Sequence, residues 1–225
     1  MQNIYIGYDS REKIASDVCE YSIKKRSTGL NKINLLKLED LKKDKLYFRS
    51  NDKLSSTEFT FSRFLVPYLM GYKGWAIFCD CDFLWLDDIS KLFNLKNEKF
   101  AVMCCKHDYK PSNDLKMDGR QQLLYPRKNW SSMVLWNCGH PSNQKLDLKT
   151  VNNETGKYLH RFGWLNDKEI GGLSFEWNWL VNWYKEPQDG KPKALHFTEG
   201  GPWFENHSKT EYANLWIKEK LEMEN

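Results

Sequence analysis

Short apolar runs alternate along the chain with segments whose apolar residues recur every three or four positions. "NIYIGYD" (3–9), "KINLLKL" (32–38), "KGWAIFCDCD" (73–82), "KFAVMCCKHD" (99–108) and "SSMVLWNC" (131–138) are the strand-like runs, short, apolar and bounded by polar or turn residues. After the first of them, "SREKIASDVCEYSIKKRS" (10–27) sets Ile14, Val18, Tyr21 and Ile23 at helical spacing, with Ser10 as candidate N-cap. "STEFTFSRFLVPYLMGY" (56–72) predicts an aromatic helix, "WNWLVNWYK" (177–185) a short helix or strand, and "EYANLWIKEKLEMEN" (211–225) a closing amphipathic helix. Strands alternating with helices predict an α/β fold with a mostly parallel central sheet flanked by helices. With 225 residues and neither a linker nor an internal repeat, one domain spanning 1–225 is expected.

In such a sheet, ligands bind outside the carboxyl ends of the strands. The first strand ends at Tyr8-Asp9 and a central one at Asp80-Cys81-Asp82, so acids converge on one edge. Side chains alternate along a strand, which puts Asp80 and Asp82 on one face and turns Cys79, Cys81 and Phe83 toward the core. Two carboxylates held together in a partly dry cleft repel each other, and burying an unpaired ion is very costly. A divalent cation resolves the conflict. Hard oxygen ligands suit Mg²⁺ or Mn²⁺, which keep positions open for water and phosphates. Taken alone, an Asp-x-Asp also describes a solvated strand end.

Charge and cysteine usage narrow the classes. The net charge is +4, with 34 basic and 30 acidic residues mixed along the chain, which argues against a dedicated nucleic-acid binder. Hydrophobic residues at 40% exclude a disordered chain. The six cysteines lack zinc-type spacing and are expected to be reduced core residues. The N-terminus has no basic and apolar leader regions, and no apolar run reaches membrane-spanning length, so a cytoplasmic chain is expected. The mild positive charge is compatible with peripheral contact at the inner face of a membrane, and the C-terminal helix with a homodimer.

Four segments in chain order, "IYIGYDSRE", "STEFTFSRFLVPYLMGYKGWAIFCDCDFLWLDDI", "WLNDKEIGGLSFEWNWL" and "HFTEGGPWF", run from residue 4 to residue 204. On these the chain resembles the nucleotide-sugar glycosyltransferases of the GT-A fold, especially family 8 and its short bacterial and viral relatives. The resemblance implies a single GT-A, Rossmann-like domain whose N-terminal half binds nucleotide and whose C-terminal half binds sugar and acceptor. It implies a metal, Mn²⁺ or Mg²⁺, on Asp80, Asp82 and His196. It places Tyr8, Asp9 and Arg11 at the base or ribose of the donor, and Arg63 at its sugar and phosphates, where a guanidinium fork suits the task. Gly200 and Gly201 allow close backbone approach to a phosphate. The late "HFTEGGPW" keeps the family's His, Gly, Pro and Trp but has no lysine before the proline. Lys106 or Lys168 is then a candidate to neutralise the diphosphate. "NDKE" stands where family members often have Asp-Gln-Asp, which gives Asp167 a sugar-facing role. "KHDYKP" (106–111) and "RKNWSSMVLWN" (127–137) follow two further strands and offer the polar and aromatic groups of a sugar pocket: His107, Asp108, Trp130 and Asn137, with Trp177, Trp179 and Trp203 as further platforms.

The reaction so implied moves a hexose-type sugar from a nucleoside diphosphate, UDP by resemblance, to a cell-surface glycan or lipid-linked saccharide. Retention, which the family 8 resemblance implies, would let the departing phosphate take the acceptor's proton. Inversion would need a carboxylate base, with Asp167 or Glu169 the candidates. Alternatives are a metal-dependent sugar-nucleotide hydrolase or nucleotidyltransferase, or a binding module that has lost catalysis.

Overall fold

Strand and helix alternate through the chain in the order β1 (Gln2–Gly7), α1 (Lys13–Arg26), β2 (Asn31–Leu36), α2 (Leu38–Lys43), α3 (Val66–Leu69), β3 (Trp75–Cys79), β4 (Phe83–Trp85), α4 (Ile89–Phe93), β5 (Val102–Cys105), β6 (Met133–Asn137), α5 (Leu148–Asn153), α6 (Gly156–His160), β7 (Ile170–Leu173), β8 (Trp179–Leu180), β9 (Ala194–His196) and α7 (Ala213–Glu224). The structure, a computed structural model, describes residues 1–50, 56–108 and 127–225. Tyr109, Lys110 and Pro111 of the expected sugar-pocket segment lie outside the described residues.

The central sheet has the order β2-β1-β3-β6-β5-β7. β1 pairs in parallel with β2 and β3, and β5 with β7, while β6 runs antiparallel to both of its neighbours. The expected mostly parallel sheet therefore contains one reversed strand. Its consequence is local: residues 127–132, which lead into β6, stand at the edge where β1 and β3 end, and Asn137 stands at the opposite edge. A second sheet, β4-β9-β8, grows from the chain just past β3. β9 runs antiparallel to β4 and parallel to β8.

Buried aromatics fill the space around the sheets. Trp85, Trp136, Phe64, Phe78 and Phe83 are fully buried, and Trp136 stacks on Trp164 at 6.2 Å between ring centroids and 11° between planes. All six cysteines are buried and free of disulfides, as expected. α1 packs on β4, where Ser22 Oγ accepts a bond of 3.1 Å from the Trp85 backbone N–H. α7 docks on α1 through buried Glu219, whose carboxylate accepts from Arg26 Nη2 at 2.9 Å and Lys25 Nζ at 3.2 Å.

Two local expectations change. The cap of the first helical segment is Asp9, whose carboxylate accepts from the Arg11 N–H at 3.0 Å; Ser10 Oγ instead donates to Glu58 at 2.6 Å. The aromatic segment 56–72 is no continuous helix: a 3-10 turn over Ser62–Leu65 hands over to the four-residue α3. Pro67 lacks an N–H and is tolerated only in a helix's first turn, so the α-helix starts beside it. Gly71, Tyr72 and Gly74, all at positive φ, then end it and turn the chain into β3. Replacing Trp136 with Ala should lower unfolding stability by about 3–5 kcal/mol, read as a lower denaturation midpoint at unchanged slope.

Candidate active site

β3 ends at Cys79, and the two residues that follow Asp80 form a turn before β4 begins. The turn, rather than an extended strand, places the two acids side by side. Cys79, Cys81 and Phe83 are buried as the alternation predicts, which leaves Asp80 and Asp82 facing the cleft with 14% and 17% of their side chains exposed. The second sheet brings the third group. Phe83 pairs with His196 across β4 and β9, and the Phe197 N–H donates to the Asp82 carbonyl at 3.0 Å. One ligand atom from each of Asp80, Asp82 and His196 then lies within 4.8 Å of the others, a grouping found nowhere else among the described residues.

The geometry fits a divalent cation. Asp82 Oδ1 is buried without a hydrogen-bond partner, the kind of orphaned oxygen a cation satisfies. His196 Nδ1 lies 2.9 Å from Asn178 Oδ1, its ring stacks on Phe83 at 4.6 Å, and Nε2 faces Asp82 Oδ2 at 3.4 Å. With Asn178 Oδ1 as acceptor, Nδ1 carries the proton and Nε2 presents its lone pair to the acids. Asn178 is itself fixed, because its Nδ2 donates to Ser132 Oγ at 2.9 Å, and that hydroxyl donates to the Asn129 carbonyl at 2.6 Å. Facing the acids is Arg63, which is buried, sits over the rings of Phe59 and Phe78, donates to the Ser131 carbonyl at 3.0 Å and pairs with Asp80 Oδ1 at 2.7 Å. Like charges this close repel by roughly 3–4 kcal/mol at an effective dielectric of about 20. Arg63 offsets part of that and still leaves the Asp82 oxygen unsatisfied.

No family model matches the chain. It is 52% identical over 223 residues to Protein CDI of Arabidopsis thaliana, an alignment that covers 97% of this chain and 86% of that protein. The chain belongs to the family of Protein CDI. Its fold is that of the GT-A glycosyltransferases: it superposes on GlyE of Streptococcus pneumoniae TIGR4 (TM-score 0.66, 14% identity, 98% of this chain and 60% of that one). WbbM, a bifunctional glycosyltransferase, gives a TM-score of 0.61 at 14% identity over 99% of this chain and 51% of that one. The galactosyltransferase LgtC, solved with donor and acceptor sugar analogues, gives 0.59 at 12% identity over 98% and 96%. The chain thus spans between half and three-fifths of the first two structures.

In this CDI-family chain the other expected site residues fall into three groups. Tyr8, with Lys37 Nζ 5.2 Å over its ring, and the Asp9–Arg11 pair stand past the end of β1, at the same edge as Asp80. Asp9 is fully buried and saturated: Oδ1 accepts from the Arg11 N–H and Nε at 3.0 and 2.9 Å, and Oδ2 from Arg11 Nη2 and the Glu58 N–H at 2.7 and 3.1 Å. All four acceptor sites of a carboxylate are taken, so Asp9 acts by holding Arg11 and residue 58. Gly200, at φ 122°, and Gly201 form the loop after β9. A Cβ on Gly201 would stand 1.9 Å from the Trp203 ring, so that position admits only glycine.

A second group comprises the described residues that flank β5 and β6, with Asp167 beside them. Trp130, half-buried, donates from Nε1 to the His107 carbonyl at 2.9 Å and carries Lys106 and Arg127 over its ring. Lys106 Nζ is bound to the Ile170 carbonyl at 2.8 Å. His107 is buried against Phe175 with Nδ1 2.7 Å from the Tyr184 hydroxyl, and burial, with His196 nearby, pushes its pKa down to about 3. It is a neutral wall residue, and Asp108 follows it as the last described residue of the segment. Asp167 is exposed and ion-paired with Arg127.

The third group is not brought to the centre. Asn137 pairs with Trp75 at the start of β3, and its Nδ2 donates to Glu98 and to the Phe100 carbonyl, because the reversal of β6 carries it to the far edge. Glu169 stands at that same edge, its carbonyl accepting from the Ala101 N–H. Its carboxylate closes a capping box with Asn166 and accepts from Ser142, which together hold its pKa down to about 2. Lys168 belongs to that same turn. Trp177 is a core residue, beside Trp85 with Lys193 over its ring, and Trp179 is fully buried against Tyr184, so neither is a sugar platform. Asn178, Ser132 and Glu12 are not singled out by the sequence motifs. A lone amide inside "WNWL" and an acid buried one turn from Asp9 were the available signals.

Glu12 is buried, and its Oε2 accepts from Trp203 Nε1 at 3.1 Å. Burial first, then the charges of Asp82 and Asp9, raise its pKa from the ordinary 4.5 to about 8. Two measurements follow. With metal chelated, the contribution of Glu12 to folding stability should be fully present below about pH 4.5 and decline by about 1.4 kcal/mol per pH unit up to about pH 8, and Glu12→Gln should remove that part of the slope in denaturant titrations. Asn178→Leu should weaken Mn²⁺ binding 10- to 100-fold, read by calorimetric titration.

Proposed function

We propose that this CDI-family protein is a metal-dependent glycosyltransferase that moves a hexose-type sugar from a nucleoside diphosphate donor, UDP by resemblance, to a saccharide or lipid-linked acceptor with retention of configuration. The observation that carries the reading is the convergence of Asp80, Asp82 and an Asn178-oriented His196 at the strand edge of a GT-A fold. LgtC, a galactosyltransferase of the same fold, was solved with donor and acceptor sugar analogues, which supports a cleft of this kind as a donor site.

Asp80, Asp82 and His196 would hold the cation, and two oxygens with one imidazole nitrogen favour Mn²⁺ over Mg²⁺. When bound, the cation supplies Lewis-acid stabilisation of the leaving diphosphate. The chain's own residues do the rest. Arg63, rigid between two aromatic rings, presents positive charge where the departing phosphate oxygen gains negative charge. The Gly200-Gly201 backbone allows a phosphate to approach closely. Trp130 offers a ring for the apolar face of a sugar, and Asp167, at the end of the Arg127 ion pair, offers an acceptor to its hydroxyls. Retention is supported by the positions of the carboxylates: Glu169 is tied at the far edge and Asp167 is ion-paired, so neither stands as a ready base for attack from the opposite face.

Thermal unfolding with nucleoside diphosphates and Mn²⁺ tests the donor site. One nucleotide at 100 times its Kd should add about 2.7 kcal/mol in the presence of the metal, and Asp82→Ala should abolish the gain. Release of the free nucleoside diphosphate from its sugar conjugate, faster with a saccharide acceptor than in water alone, separates transfer from hydrolysis. The absence of any metal-dependent nucleotide shift overturns the proposal.

A further inference from the structure

Asp9 stands where a nucleoside acid is expected, yet its carboxylate is saturated by Arg11 and the Glu58 N–H and fully buried. A group that reads the donor's sugar ring hydroxyls must have an open acceptor. Glu12 has one. It lies on the turn capped by Asp9, with its N–H donating to the Asp9 carbonyl at 3.0 Å, and its carboxyl accepts one hydrogen bond among the described residues, from Trp203 to Oε2. Trp203 belongs to the loop after β9 that also binds the Asp82 carbonyl through the Phe197 N–H, so the same loop ties Glu12 to the cation centre. Glu12 is not one of the three converging ligands.

Connectivity does the rest. In a nucleoside diphosphate the ribose joins the base to the phosphates. With the base end at Tyr8 and Arg11 and the diphosphate at Asp80, Asp82 and His196, the ribose passes over the element between them, which carries Glu12. A carboxyl oxygen there can accept from neutral O–H donors in either protonation state. We infer that Glu12 is the ribose-recognition residue of the donor site, its free carboxyl oxygen accepting from the 2′,3′-diol and so selecting ribonucleoside diphosphates over their deoxy counterparts. This rests on the donor reading above.

The test is calorimetric titration, with Mn²⁺, of the four common ribonucleoside diphosphates and their 2′-deoxy forms into wild type, Glu12→Gln, Glu12→Ala and Trp203→Phe. One hydrogen bond to a buried carboxyl is worth about tenfold or more. Wild type should therefore bind its preferred ribonucleotide at least tenfold tighter than the deoxy form. Glu12→Ala should bring that ratio to about one, Glu12→Gln should retain part of it through its amide oxygen, and Trp203→Phe should leave it in place. A wild-type ratio near one overturns the inference even if every variant misfolds. So does a ratio unchanged in Glu12→Ala, or equal weakening of both nucleotides, which would mark Glu12 as a structural support of the loop. If no nucleotide binds wild type at all, the donor reading itself falls, and this assignment with it.

Discussion

The short antiparallel ladder between β4 and β9 is the contact on which the site depends. It puts Phe83 opposite His196, so that a residue more than a hundred positions downstream arrives beside the acid that precedes Phe83. Without that pairing the turn after β3 would present two repelling carboxylates and one arginine. With it, an imidazole nitrogen closes the triad and stacks on Phe83. The ladder is stable because its surroundings are apolar: Phe83, Leu84, Trp85, Ala194 and Leu195 are all fully buried. Packing energy of the core thereby holds a charge cluster that would not assemble by its own electrostatics.

Polar groups around the centre are arranged in a chain whose members fix one another. Asn178 orients His196, Ser132 orients Asn178, and the turn at Asn129 receives the Ser132 hydroxyl. The Ser132 carbonyl in turn accepts from the Asp80 N–H at 2.9 Å. The reversed strand β6 is what makes this possible, since it delivers residues 129–132 to the same edge as the diacid. One strand direction thus serves both the geometry of the Asp80, Asp82 and His196 triad and the placement of Trp130.

The N-terminal side of the cleft divides its labour between two acids. Asp9 is a structural acid that has no acceptor left for a ligand, and Glu12 is a buried acid that has. Their separation by one 3-10 turn means that the cap which starts the turn ahead of α1 also sets the position of a carboxyl that feels the charge of Asp82. Cap, helix and site are therefore mechanically linked.

Much of this was legible in the residues themselves. Buried Cys79, Cys81 and Phe83 with Asp80 and Asp82 turned away from them could be read from alternation, although a turn over Cys81 and Asp82, and not a continuous strand, produces the pattern. The strand–helix rhythm and its α/β architecture could be read for the same local reason, and the acids at the ends of β1 and β3 landed on one edge because those strands are parallel. Strand direction between distant segments is another matter: nothing local told β6 to run backwards, and that reversal removed Asn137 from the cleft while bringing Ser132 into it. Nor could spacing reveal which carboxyls were already saturated. Asp9 and Glu169 take most of their bonds from neighbours within three residues, Arg11 and Asn166, whereas the distant Trp203 and Arg127 made Glu12 an acid with one open oxygen and Asp167 an exposed ion pair. A sequence determines which groups are available and which way each faces along its own element; which partners each group meets depends on contacts between segments far apart in the chain, and these only the folded structure decides.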